Sequence, residues 1–116
     1  MPSEYNALVA ALQESGIPFA EYEWDTRPEG KYGLVSLDME ADDLDGYGRK
    51  QDRAWEASVD VFFQKLTERE TVIQTVEEIL TEICGSAWEM NSATHENANR
   101  IFHIEWVCQV QHDGRG

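Results

Sequence analysis

Basic residues are scarce in this 116-residue sequence, which has nine lysines and arginines against 23 aspartates and glutamates. The formal charge of -14 opposes binding to nucleic-acid phosphates, because that affinity comes largely from Lys and Arg displacing counterions. We therefore expect no direct, sequence-specific binding of nucleic acid. Such acidity suits high solubility, a basic protein partner, or a surface along which DNA must pass without adhering.

Cysteines and long apolar runs are also few. Cys84 and Cys108 are the two cysteines, too widely spaced for a CxxC motif, and each falls at an apolar position of a predicted element. We interpret both as buried free thiols rather than as a disulfide. The N-terminal residues lack a basic start, and no apolar run approaches the length of a membrane span. Neither a secretory signal nor a membrane contact is expected.

Complete catalytic or ligand-binding motifs are missing as well. His95 and Glu96 begin a near-match to the HExxH zinc motif, but Asn99 replaces the second histidine. A calcium-loop register through the acidic stretch fails at Ala41 and lacks the bidentate Glu. The glycines of residues 46–48 lack the third glycine of a dinucleotide fingerprint. We therefore predict a non-enzymatic protein with no cofactor and no bound metal.

Two segments have the apolar spacing of amphipathic helices. The first begins near Ser3, which can cap it, and ends near Ser15. The second begins with a predicted capping box, formed by Thr67 and Glu70, and ends at Gly85. Their apolar stripes are Tyr5, Leu8, Val9 and Leu12 in the first helix, and Val72, Ile73, Val76, Ile79, Leu80 and Ile83 in the second.

Five other segments alternate apolar and polar residues as strands do. They span about residues 19–25, 32–39, 54–63, 87–95 and 100–111. In the first, the alternation places Ala20, Tyr22 and Trp24 on the apolar face. The last two predict a hairpin, in which Trp88 and Met90 join the apolar face of the closing strand only if the loop has an odd number of residues. Core packing accounts for the four tryptophans Trp24, Trp55, Trp88 and Trp106.

The element order α-β-β-β-α-β-β predicts an α+β fold with a mostly antiparallel sheet and two helices packed on one face. We expect a single domain over residues 1–112, followed by a disordered tail over residues 113–116. Between the second and third strands lies a charged segment, residues 38–53, which is far too long for a tight turn. We therefore expect the charged segment to form a long protruding β-hairpin arm.

The charges of the charged segment are sorted along the chain. Acidic residues come first, a predicted Gly-Tyr-Gly tip follows, and basic residues come last. An arm with one acidic and one basic limb suits contact with a copy of itself, and a tyrosine at its tip is a candidate interface anchor. The predicted oligomer interface comprises Asp42, Asp43, Asp45, Tyr47, Arg49 and Lys50.

A series of segments between residues 5 and 111 resembles a known family. An opening helix ending ALQESGIPFAEYEW leads to a Pro-Gly turn and YGLVSLD, then to the charged segment, AWEASVDVFF, a helix VIQTVEEILTEI and a closing hairpin. Together they resemble small tail terminator, or tail completion, proteins of long-tailed bacteriophages. The resemblance lies in the order of the elements and in the residue pattern of each segment, and it includes no diagnostic motif.

This resemblance implies a homo-hexameric ring that caps the tail tube, stops its growth and presents a surface to the head connector. It also implies that the charged segment takes part in assembly, and that the partners are other copies of the chain, the tail tube protein and the head connector protein. The expected location is the virion tail of a phage or prophage, or the bacterial host cytoplasm during assembly.

Two other classes of function stay open. A small acidic inhibitor, such as an immunity or antitoxin-like protein, would mask a basic protein partner by charge complementarity in a one-to-one complex weakened by salt. An enzyme or ligand-binding domain would instead use a pocket between helix and sheet, and a metabolite would stabilise it.

Overall fold

The computed structural model describes residues 3–38 and 54–111. In chain order these residues form α1 (Ser3–Gln13), β1 (Phe19–Glu21), β2 (Tyr32–Asp38), β3 (Ala54–Phe63), a 3₁₀ turn (Leu66–Glu68), α2 (Arg69–Cys84), β4 (Trp88–Glu96) and β5 (Ile101–Gln111). The predicted α+β class and the predicted element order are both confirmed.

The five strands form one sheet in the order β1-β2-β3-β5-β4. The short strand β1 runs parallel to β2, and the other three neighbouring pairs are antiparallel. The last strand, β5, therefore lies between β3 and β4 and is the longest strand with neighbours on both sides. This arrangement confirms the mostly antiparallel sheet.

Both helices pack on one face of the sheet, as predicted. They contact each other and β5, and their apolar stripes join the strands in a single core cluster. The stripe of α1 is fully as predicted, and the most buried residues of α2 are Val72, Val76 and Leu80. Alternate residues of the two central strands complete the core: Ala57, Val59, Val61 and Phe63 in β3, and Ile104, Trp106, Cys108 and Val110 in β5.

The first strand is shorter than predicted, and the expectation for its apolar face was wrong. β1 ends at Glu21 because Tyr22 adopts a left-handed backbone with φ of 66°, which breaks the extended alternation. Its side chain is 53% exposed, and its hydroxyl donates to the Leu37 carbonyl (3.2 Å) and accepts from the Leu37 amide (3.3 Å). The buried residue of β1 is Phe19, whose ring lies against Gly33 of β2.

The predicted capping box of the second helix does not form. The 3₁₀ turn precedes α2, so the helix begins at Arg69 with Glu68 as its N-cap, and no side chain makes a cap hydrogen bond. Glu70 is then the second helical residue instead of the third, which is the position that a capping box requires. The predicted end of the helix is confirmed, since Gly85 has a φ of 65° and donates to the Thr81 carbonyl.

The hairpin of β4 and β5 has two registers. Trp88 pairs with Cys108 and Met90 with Trp106, which places Trp88 and Met90 on the apolar face of β5, as predicted. A β-bulge between Met90 and Ser92 then shifts the pairing by one residue. The turn consequently has four residues, 97–100, and the prediction of an odd loop was wrong. Because β4 is an edge strand, Met90 remains 36% exposed although it faces the helices.

Candidate functional site

The six predicted interface residues, Asp42, Asp43, Asp45, Tyr47, Arg49 and Lys50, lie outside the described residues, as does the predicted C-terminal tail. The two strands that flank them are described. β2 and β3 are antiparallel neighbours, and Asp38 at the end of β2 pairs with Glu56 near the start of β3. The chain therefore leaves and re-enters the sheet at the same end, through adjacent strands, with fifteen residues (39–53) between them.

The face of the sheet opposite the helices has a different composition from the core face. We call it the open face, and its side chains come from alternate positions of the three central strands. They are Tyr32, Leu34, Ser36 and Asp38 of β2, Glu56, Ser58, Asp60 and Phe62 of β3, and His103, Glu105, Val107 and Gln109 of β5.

Like charges lie directly opposite each other at two places on the open face. Asp38 pairs with Glu56 across β2 and β3, and Asp60 pairs with Glu105 across β3 and β5. Such cross-strand pairs of like charge destabilise a sheet. Local partners offset part of this repulsion: the Ser58 hydroxyl donates to Asp38 Oδ2 (3.1 Å), and His103 Nε2 lies 2.7 Å from Asp60 Oδ2. The open face nevertheless remains acidic.

An aromatic strip crosses the open face where β2 and β5 begin. The rings of Tyr32 and Phe62 stack at 5.0 Å between centroids, and those of Phe62 and His103 at 4.2 Å. Arg27 covers the end of the strip, since its Nη1 donates to the Tyr32 hydroxyl (3.1 Å) and its guanidinium lies 5.8 Å from the ring centroid. A pocket of about 510 Å³ lies beside these rings.

The contact between His103 and Asp60 is the one imidazole–carboxylate pair within residues 3–38 and 54–111. In that part of the chain no hydroxyl or thiol hydrogen-bonds to the His103 ring, so the pair orients the imidazole without activating a described nucleophile. The same residues contain no group of three or more His, Cys, Asp or Glu side chains that could hold a metal ion.

Positive charge is confined to one end of the described structure. The strand register places the start of β2, the end of β3 and the start of β5 together. All five lysine and arginine residues in residues 3–38 and 54–111 lie on the connections at this end or at the adjoining start of α2. They are Arg27, Lys31, Lys65, Arg69 and Arg100.

The opposite end, from which the charged segment leaves, is acidic. It carries Asp38 and Glu56 on the open face, and Glu4 of α1, whose Oε1 accepts from the backbone amide of Gln111. Among the described residues no lysine or arginine lies there. Among the described residues, the lysines and arginines are therefore separated from this acidic end along the strand direction, a property that strand order decides and that the charge count alone does not reveal.

The tryptophans are largely structural, as predicted, with one correction. Trp106 is fully buried and its Nε1 donates to Glu77 Oε2 of α2 (2.9 Å), while Trp88 Nε1 donates to the Thr81 hydroxyl (3.2 Å). Trp55 is partly buried against the same core. Trp24 lies outside the core cluster and donates to the Gly33 carbonyl (3.0 Å), so its assignment to the core was wrong.

No protein-family model matches the sequence, and no curated protein matches it significantly. No helix in the described part of the chain is long and apolar enough to cross a membrane.

Proposed function

We propose that the protein is a non-enzymatic structural subunit that forms a homo-oligomeric ring, caps a bacteriophage tail tube and joins it to the head connector. The observation that carries this proposal is the placement of the charged segment. Residues 39–53 leave and return through two adjacent central strands, at the acidic end of the domain. A segment anchored in this way by paired strands can extend from a rigid base towards a neighbouring subunit.

The separation of the described lysines and arginines from the acidic end supports head-to-tail contacts between subunits. A two-fold contact through the acidic ends would bring like charges together, whereas a head-to-tail contact can bring the acidic end of one subunit to the end of the next that carries the described lysines and arginines. Head-to-tail contacts close into rings when the rotation between subunits allows it. Six subunits is the number that the family resemblance implies.

The overall acidity supports a channel for DNA. A ring with a formal charge of -14 per subunit repels the phosphate backbone, so DNA can pass without adhering. The partners in this proposal are other copies of the chain, the tail tube protein and the head connector protein. Its setting is the virion tail, or the bacterial host cytoplasm during assembly.

Charge reversal in the charged segment tests the proposal. We expect Arg49→Glu with Lys50→Glu to leave the monomer folded but to abolish rings, because the basic limb would then repel Asp42 and Asp43 of the next subunit. Reversing those two acids as well, with Asp42→Lys and Asp43→Lys, restores the net charge and should restore rings. Light scattering and negative-stain microscopy measure both, and unchanged rings in the first variant would contradict the role of the segment.

Tail tubes provide a second assay, because a terminator can form its ring only when the tube is present. Purified protein should co-sediment with tail tubes and appear at one tube end by microscopy. A protein that stays monomeric at high concentration and does not bind tube ends is not a terminator.

The like-charge pairs of the open face favour a second candidate, an acidic inhibitor of a basic protein. Two such pairs on one face cost stability in the free chain, and a cationic partner would relieve the repulsion. This function requires a one-to-one complex whose affinity falls steeply with salt. Calorimetric titration against basic proteins encoded beside the gene, at low and high salt, separates the two candidates.

A further inference from the structure

The two cysteines, distant in sequence, lie side by side in the fold. Cys84 is the last residue of α2, and Cys108 lies on β5, where it faces the helices. The chain turns sharply after Cys84, with the Ala87 amide donating to the Cys84 carbonyl (3.1 Å), and the Ala87 carbonyl then accepts from the amide of Gln109 (2.8 Å). These bonds hold the end of α2 against β5, so that Cys84 packs against the core cluster to which Cys108 belongs.

The environments of the two thiols differ. Cys108 is 2% exposed and belongs to the core cluster, whereas Cys84 is half-buried at the edge of that cluster. Its position corrects the expectation that both thiols are buried. Cys84 is therefore the more accessible of the two thiols to an oxidant in solution.

The pKa values of the two thiols are shifted in opposite directions. The hydrogen bond from Cys108 lowers the pKa of the Cys84 thiol below its ordinary value. The same hydrogen bond and burial raise the pKa of the Cys108 thiol. Thiolate character and exposure both determine which cysteine reacts with an oxidant, and both favour Cys84.

We propose that Cys84 and Cys108 form an oxidisable dithiol, a modification site at which a peroxide generates an intramolecular disulfide between α2 and β5. The Cys84 thiolate attacks one peroxide oxygen and breaks the O–O bond, which gives a sulfenic acid and, after protonation, water. The Cys108 sulfur then attacks the Cys84 sulfur and expels hydroxide, which takes up the Cys108 proton and leaves as a second water. Two thiols are oxidised and one peroxide is reduced. This inference does not rest on the proposed role in assembly.

The test uses the reduced, full-length protein and hydrogen peroxide. We expect the intact mass to fall by about 2 Da, with recovery on addition of dithiothreitol. Tryptic mapping should show the peptide containing Cys84 linked to the peptide containing Cys108. A product that keeps two alkylatable thiols, carries extra oxygen on Cys84, or forms a disulfide between two molecules would overturn the proposal.

Two single substitutions separate the roles of the thiols. Cys108→Ser should stop at the sulfenic acid of Cys84, which dimedone traps. Cys84→Ser should leave Cys108 reduced, with peroxide consumption at least about tenfold slower than in the unsubstituted protein, because the remaining thiol is buried. Circular dichroism confirms that each variant is folded. Oxidation of Cys84→Ser at the unsubstituted rate in a folded protein would contradict the assignment of Cys84 as the attacking thiol.

Discussion

The two faces of the sheet differ in composition and in burial. On the helix-covered face the buried side chains are apolar, and no charged or polar residue is buried among the described residues. On the open face, acid lies opposite acid at two positions, and Phe62 and His103 of the aromatic strip stay partly exposed. Stability is thus concentrated on one face, while the other carries charges that the fold does not need. Residues that cost stability without serving the core are candidates for contacts with other molecules.

The largest expected effect compares one substitution on the two faces. Val59→Asp places a carboxylate in the core, where it has no partner, and should destabilise the domain by about 4 kcal/mol or more, enough to unfold it. Val107→Asp introduces the same charge on the open face, opposite Glu89, and should cost only about 1 kcal/mol. Thermal unfolding followed by circular dichroism measures both.

A similar loss from both substitutions would remove the distinction between the faces. It would mean that Val107 is packed in the free protein, for instance against a second copy of the chain. Measuring both variants at several protein concentrations detects this case, because only an oligomer has a concentration-dependent Tm.

Gly33 provides the next largest effect. Its missing side chain leaves room for the ring of Phe19, and a Cβ at this position would overlap that ring. Gly33→Ala should therefore destabilise the domain by about 2 kcal/mol, since the buried ring cannot move freely. Urea denaturation measures the loss.

A double substitution is the control for Gly33. Replacing the ring as well, with Phe19→Leu, should make Gly33→Ala nearly neutral relative to Phe19→Leu alone. Full additivity of the two losses would show that the close approach of Phe19 does not explain the glycine.

The contact between α2 and the central tryptophan gives a smaller effect. Glu77→Ala removes the acceptor for the indole of Trp106, which is fully buried, and should cost about 1 to 2 kcal/mol. Glu78→Ala, one residue away on the exposed surface, should change stability by less than about 0.5 kcal/mol. Equal losses by urea denaturation would indicate that helix propensity or overall charge, and not the hydrogen bond, is responsible.

The helix-covered face was predictable because it depends on local periodicity. The alternation in β3 gave its bounds, 54–63, and the helical stripes identified the buried residues of α1. The exceptions occur where a tertiary contact or one unusual backbone angle decides the outcome. Tyr22 leaves the strand through its backbone angle, and the β-bulge at β4 absorbs one residue of the hairpin. Neither feature has a periodic signal in the sequence.

The open face was predictable only in part. Alternation correctly assigned Asp60 and Glu105 to the polar sides of their strands, but it could not show that these two carboxylates lie opposite each other. That pairing depends on β5 lying between β3 and β4, and strand order is a long-range property. The same order brings Cys84 to Cys108 and collects the five described basic residues at one end.

The smallest expected effect should be a gain in stability. Glu56 lies opposite Asp38, so Glu56→Gln removes one charge of a repelling pair and should stabilise the free chain by about 0.5 kcal/mol. Salt screens exposed charges, so the gain measured by urea denaturation should shrink in about 1 M NaCl, where the Debye length is about 3 Å.

The matched control is Glu78→Gln, which removes an equal charge from α2, away from the acidic pairs. If both variants gain equally, the repulsion is a general effect of the -14 charge and the open face has no special status. Glu56→Gln alone could instead gain stability and also weaken ring formation or binding to a basic protein. The Glu56 carboxylate would then be both the charge that destabilises the free chain and the charge that the partner contacts. That outcome would explain both faces together, because the stability of the helix-covered core would then compensate for the destabilising acidic pairs of the open face.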